Sequence, residues 1–132
     1  MLYRNVLRIK TGPEKFVNIT EQITEIVDKC LIKDGLCHLF LKATTASLLL
    51  QENDMMLMAD MEKTLELLTP KNKMYQHPRN SYSHIRSALL KQEITIPVFN
   101  GRLELGQWQS ILLLENDIRP REREIILTIT GE

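Results

Sequence analysis

At 132 residues, 15.4 kDa and 43% hydrophobic residues, the chain is long enough to fold as one domain over residues 1–132 without staples. Its 17 Lys and Arg balance its 17 Asp and Glu, which argues against nucleic acid as a partner because no basic excess exists to neutralise a phosphate backbone. The apolar runs are too short to span a bilayer and "MLYRNVLRIK" lacks a signal-peptide core, so the expected location is the cytoplasm and no membrane partner is expected.

"LYRNVLRIKT" alternates loosely as a strand, and "EKFVNIT" reads as a second one after the turn residues Gly12 and Pro13, which predicts a hairpin. From Thr20, a residue able to cap, Ile23, Ile26, Val27, Cys30 and Leu31 recur at helical spacing and form the stripe of a helix lying on a sheet. Gly35 ends the connection, and "LCHLFL" then reads as a buried strand. Cys30 and Cys37 have no CxxC partner and are expected to act as small core hydrophobes. His38 reads as a partly buried, hydrogen-bonded strand residue.

The hydroxyl cluster Thr44, Thr45 and Ser47 interrupts two aliphatic runs, and such side chains can bend a chain, satisfy backbone groups or hold a polar ligand. Asp54 is placed to cap a helix whose Met58, Met61, Leu65 and Leu68 form the buried side, with Pro70 beyond its end. "SYSHIRSALL" predicts a shorter helix capped by Ser81, with Ile85, Ala88 and Leu89 on one face. His77 and His84 are separated by a turn and do not form a helical metal pair of the HExxH kind. "EITIPVF", "RLEL", "WQSILLLE" and "REIILTIT" are strand-like, and Asn100-Gly101 has the chemistry of a two-residue type I′ turn. Pro97 belongs at an edge or bulge because it cannot donate to a ladder. Trp108 reads as a core or interface anchor, or as a ring that stacks on a ligand beside Gln109. Strands at both ends of a helical middle predict a compact α+β domain with antiparallel sheets packed against helices.

The runs "GLCHLFLKATTASLLLQEN", "YQH", "SHIRSALL", "TIPVFNGRLELGQWQSILLLE" and "RPREREIILTITGE", in this order, resemble the YjbQ-like family, whose members are commonly labelled secondary thiamine-phosphate synthase enzymes. The resemblance implies a homotrimer with a histidine-containing pocket that takes a small phosphorylated molecule, often with a divalent metal such as zinc or magnesium. It assigns His77 and His84 as catalytic and metal-binding residues. Ligand contacts fall on Thr44, Thr45, Ser47, Asn53, Arg86, Trp108, Gln109 and Glu115. The implied reaction joins hydroxymethylpyrimidine diphosphate to thiazole phosphate. One pocket histidine of the family pattern is replaced here by Ala43, preceded by Lys42, and "HPRNSYSH" replaces a longer acidic loop. A methyl group can neither ligate metal nor move a proton. The expectation is weak zinc binding, little synthase activity and an alternative role as a noncatalytic phosphate-binding or structural homotrimer.

Overall fold

The computed structural model describes residues 1–12 and 15–132. Leu2–Lys10 (β1) and Phe16–Asn18 (β2) are followed by Thr20–Lys29 (α1), Gly35–Leu41 (β3) and Ala46–Gln51 (β4). Met55–Leu68 (α2) and Ser81–Leu89 (α3) precede Glu93–Phe99 (β5), Arg102–Leu103 (β6), Ser110–Glu115 (β7) and Glu122–Gly131 (β8). The strands make a five-stranded sheet, β1-β8-β3-β5-β6, and a three-stranded sheet, β2-β7-β4, in which every pairing is antiparallel. This is the expected α+β architecture.

Strand alternation builds the core. Cys37, Leu39, Leu41, Ile94, Ile96, Val98, Ile125, Leu127 and Ile129 point inward from the large sheet and meet Ala46, Leu48, Ile111 and Leu113 of the small one. Ile23 and Val27 bring α1 into the same cluster. Both cysteines are free and buried, as expected, and burial, with Cys30 adding to it, pushes the Cys37 thiol up to about 12. Asn100 and Gly101 have φ of 52° and 78°, as a type I′ hairpin requires. The Pro97 carbonyl accepts from Glu104 on the side of the short β6, so the missing Pro97 N–H faces an end of the sheet where no long strand needs it.

Other expectations are corrected. β1 pairs with β8 and β2 with β7, so the first two strands belong to different sheets and form no hairpin. Gly12 has φ of 74°, whereas Pro13, the other residue assigned to that turn, lies outside the described residues. Leu31 is exposed because α1 stops at Lys29 and the helical phase ends with it. Gly35 starts β3 rather than ending a loop; a Cβ there would lie 1.9 Å from the Thr130 carbonyl, so only glycine lets β3 approach β8 this closely. Asp54 does cap α2, accepting from Met56 and Leu57 N–H at 2.8 and 3.1 Å, but of the predicted apolar face only Leu65 is buried. For α3 the reading is inverted: Ile85, Ala88 and Leu89 face outward, while Tyr82, Ser83, Arg86 and Ser87 are buried. Asn80, in a left-handed conformation with φ of 41°, holds the cap position expected of Ser81.

Candidate functional site

Four strand ends converge at one end of the sandwich. Thr11 follows β1, Thr45 precedes β4, Glu115 ends β7 and Arg123 lies near the start of β8. Arg123 is in phase with Ile125, Leu127 and Ile129, so alternation carries a guanidinium inward at the sheet's margin. It is met there by Glu115: Arg123 Nε donates to Glu115 Oε1 at 2.8 Å, and Nη2 pairs with Oε2. Thr11 Oγ1 also donates to Glu115 Oε1 at 2.5 Å, and Arg123 Nη2 donates to the Thr45 hydroxyl at 2.8 Å. A buried charge pair persists when its remaining polar atoms are satisfied, and this one is tied down from both sides.

Above it the chain pivots. β3 ends at Leu41, and the Ala43 N–H donates to the Leu41 carbonyl at 3.0 Å, the span of a γ-turn. Strand alternation therefore lapses at residue 42, and Lys42, Ala43 and Thr44 all line one cleft of about 620 Å³. His84 and Asn80 enter from α3, and Arg121 and Arg123 from the β7–β8 connection and β8. Among the described residues the wall thus carries three cations, an imidazole and the Thr44 and Thr45 side chains, and no carboxylate. The balancing acids sit behind or beside it. Arg121 Nη2 donates to Asp117 Oδ2 at 2.6 Å, and Lys42 lies 3.6 Å from Glu124 on the surface. Burial alone would raise the Asp117 carboxyl, but donors from Arg121, the Ile118 backbone and Asn80 hold it below its ordinary value.

His77 stands beside this wall, its ring centroid 5.1 Å from that of His84. Its Nδ1 is 2.5 Å from the Arg79 carbonyl, which can only accept, so Nδ1 is the donor there and Nε2 has no hydrogen-bond partner among the described residues. Two imidazoles fall short of the three protein ligands of a catalytic zinc site, Ala43 supplies no donor, and no cluster of three His, Cys, Asp or Glu suited to a metal forms among the described residues.

Of the expected site residues, His84, Thr44 and Thr45 share the cleft, and His77 adjoins it. The rest lie elsewhere. Arg86 is fully buried beneath α2, donating to Thr69 Oγ1 at 2.8 Å and to Glu66 Oε2 at 2.7 Å, so it anchors the end of that helix, while its Nη1 has no hydrogen-bond partner among the described residues. Ser47 is buried as an acceptor for Asn116 at 3.1 Å, and Glu115 serves Arg123 instead of the cleft surface. Asn53 lines a separate cleft with Lys15 and Asn18. Trp108 is 68% exposed, and the Gln109 Oε1 accepts from Gly106 N–H at 2.7 Å within its own loop. His38 is half-exposed on the outer sheet face, 3.6 Å from Glu93. Sequence reasoning missed Asn80, Arg121 and Arg123. The signal for Arg123 was a charge in phase with the inward Ile and Leu positions of β8.

A UPF0047 family model, described as YjbQ-like, matches residues 5–132. The YjbQ protein of Salmonella typhimurium is 38% identical over 138 residues, covering 100% of both chains. A UPF0047 protein of Synechocystis is 37% identical over 136 residues, covering 98% of this chain and 92% of its own. Among solved structures, a YbjQ-like protein of unknown function from Sulfolobus solfataricus superposes with a TM-score of 0.94 at 33% identity, covering 100% of this chain and 99% of that one. A UPF0047-family protein from Clostridium acetobutylicum gives 0.89 at 31% identity, covering 96% and 99%. Shared along nearly the whole sequence and backbone, these likenesses place the chain in the YjbQ-like UPF0047 family.

Proposed function

We propose that the protein binds a small phosphorylated molecule in the cleft between Lys42 and Arg121, and that it does so as a homotrimer without catalysing turnover of its own. The observation that carries this reading is the one-sided chemistry of the wall: Lys42, Arg121 and Arg123 line it with the Thr44 and Thr45 side chains and His84, and no carboxylate among the described residues lines the space. A phosphoryl group needs donors and positive charge on one side and room on the other. Arg121 and Arg123 are held in place by Asp117 and Glu115, so little side-chain entropy is lost when a ligand arrives. Lys42, exposed and loosely paired, contributes a mobile charge. Titration calorimetry with a sugar monophosphate tests the reading. The native chain binds it, and Lys42→Ala and His84→Ala each weaken binding by about tenfold, equivalent to about 1.4 kcal/mol. Unchanged affinity in both variants contradicts the assignment.

A second reading, weak transfer of hydroxymethylpyrimidine from its diphosphate to thiazole phosphate, is favoured by the pairing of His77 and His84, since the Nδ1 contact of His77 leaves its Nε2 to take up a proton near the cations. Zinc or magnesium would then bind weakly, with two imidazoles and outside oxygen donors. Ala43 and His84 line the same recess, so Ala43→His is expected to tighten zinc binding by about tenfold or more in a calorimetric titration. Tight zinc binding by the native chain, or no gain in the variant, overturns that expectation.

A further inference from the structure

On the other side of Asn80 from the main cleft lies a smaller pocket of about 250 Å³, lined by Arg79, Asn80, Tyr82, Asp117, Ile118 and Arg119. Three features there lack a protein partner. The Tyr82 hydroxyl makes no hydrogen bond among the described residues although Tyr82 is only 7% exposed, and a buried O–H of this kind is normally satisfied. Arg79 and Arg119 are both exposed and enter no ion pair among the described residues. The nine-residue helix α3 begins here with no side-chain cap, so the N–H groups of its first turn add positive potential. The one acid in the wall among the described residues, Asp117, is already occupied by Arg121, Asn80 and the Ile118 N–H.

Donors without acceptors, gathered in one pocket, are the complement of an anion. Burial holds the Tyr82 phenol above its usual range, so the hydroxyl keeps its proton to donate. Asn80 lines both spaces, which makes the two recesses neighbours across a single residue. We propose that this pocket is a second anion subsite, so that the ligand is a small molecule with two anionic groups, one held at Lys42 and His84 and the other at Tyr82, Arg79 and Arg119. This rests on the reading of the main cleft as a phosphate site and deepens it. The second group is a phosphate or a carboxylate, since both accept from a phenol and from guanidinium.

Calorimetry on the full chain separates the two claims. The probes are a fructose monophosphate phosphorylated on its terminal hydroxyl and the corresponding fructose bisphosphate. A dicarboxylate of similar length serves as a third probe for the alternative second group. The doubly charged ligand is expected to bind about tenfold or more tightly than the monophosphate, because the second contact becomes intramolecular. Tyr82→Phe and Arg119→Ala are each expected to remove most of that gain and leave monophosphate affinity unchanged. Tyr82→Phe keeps the ring that packs against the Arg86 guanidinium and deletes only a hydroxyl with no partner among the described residues; Arg119→Ala changes an exposed side chain. If the monophosphate binds and the bisphosphate binds no better, the second subsite is overturned and the main cleft stands. A gain that survives both variants overturns the assignment to this pocket. Absence of binding by every probe overturns the reading of the main cleft, and the inference falls with it.

Discussion

At the scale of single residues, position in the fold reassigns chemistry that residue type alone suggested. Arg86 and Glu115 both looked like ligand contacts, yet each is buried and occupied by a protein partner. Glu115 is the sharper case, because Arg123 beside it is only 7% exposed and would be left as a buried unpaired charge without it. Glu115→Gln, which keeps the shape and removes the charge, is expected to cost about 3–5 kcal/mol in urea unfolding. A stable variant with altered ligand affinity would instead return Glu115 to the list of ligand contacts. Sequence could not separate these roles, since a carboxylate ending a strand reads the same whether it faces a cleft or an arginine. What it did mark was position 43, and the Ala43 methyl lines the cleft beside Lys42.

At the scale of elements, legibility followed periodicity. The strands with clean alternation, β3, β5 and β8, were read closely, and the Asn100-Gly101 turn was read from its positive-φ chemistry. The hairpin between β1 and β2 failed because a turn signal says that the chain reverses, not which sheet it joins. Among the helices, α1 begins at Thr20 and buries Ile23 and Val27 as expected, whereas the apolar faces read for α2 and α3 fail in a more informative way. α3 buries serines and an arginine and exposes Ile85 and Leu89, and α2 exposes Leu67 and Leu68, so apolar spacing marked faces that the single chain leaves open. Between them runs an apolar groove of about 480 Å³ that includes Leu57, Met61, Leu65, Leu68 and Leu89. The apolar C-terminal strands β7 and β8 are interior in their sheets, so they have no bare edges for a neighbour to cover. Assembly is therefore expected through the helical faces, since contiguous exposed apolar surface marks interaction sites. Light scattering at micromolar concentration should give three chain masses for the native protein and a smaller species for Leu68→Asp; a monomeric native protein would contradict the trimer.

For the whole molecule, the sandwich brings the connections β3–β4 and β7–β8 and the start of α3 to one end, residues far apart in sequence that no local pattern links. That is why the fold class was legible and the site only partly so: the family-like motifs pointed to His84, Thr44 and Thr45, while Arg121 and Arg123 entered through packing. The central claim is that this end of the molecule holds a phosphoryl group. A crystal structure of the protein soaked with a sugar monophosphate, or carrying whatever phosphorylated molecule co-purifies, tests it most directly. The account predicts phosphoryl oxygens within hydrogen-bond distance of Lys42 and Arg121, with His84 and Thr44 alongside. A phosphoryl group seated instead in the cleft of Lys15 and Asn53, or an empty main cleft at saturating ligand, would contradict it.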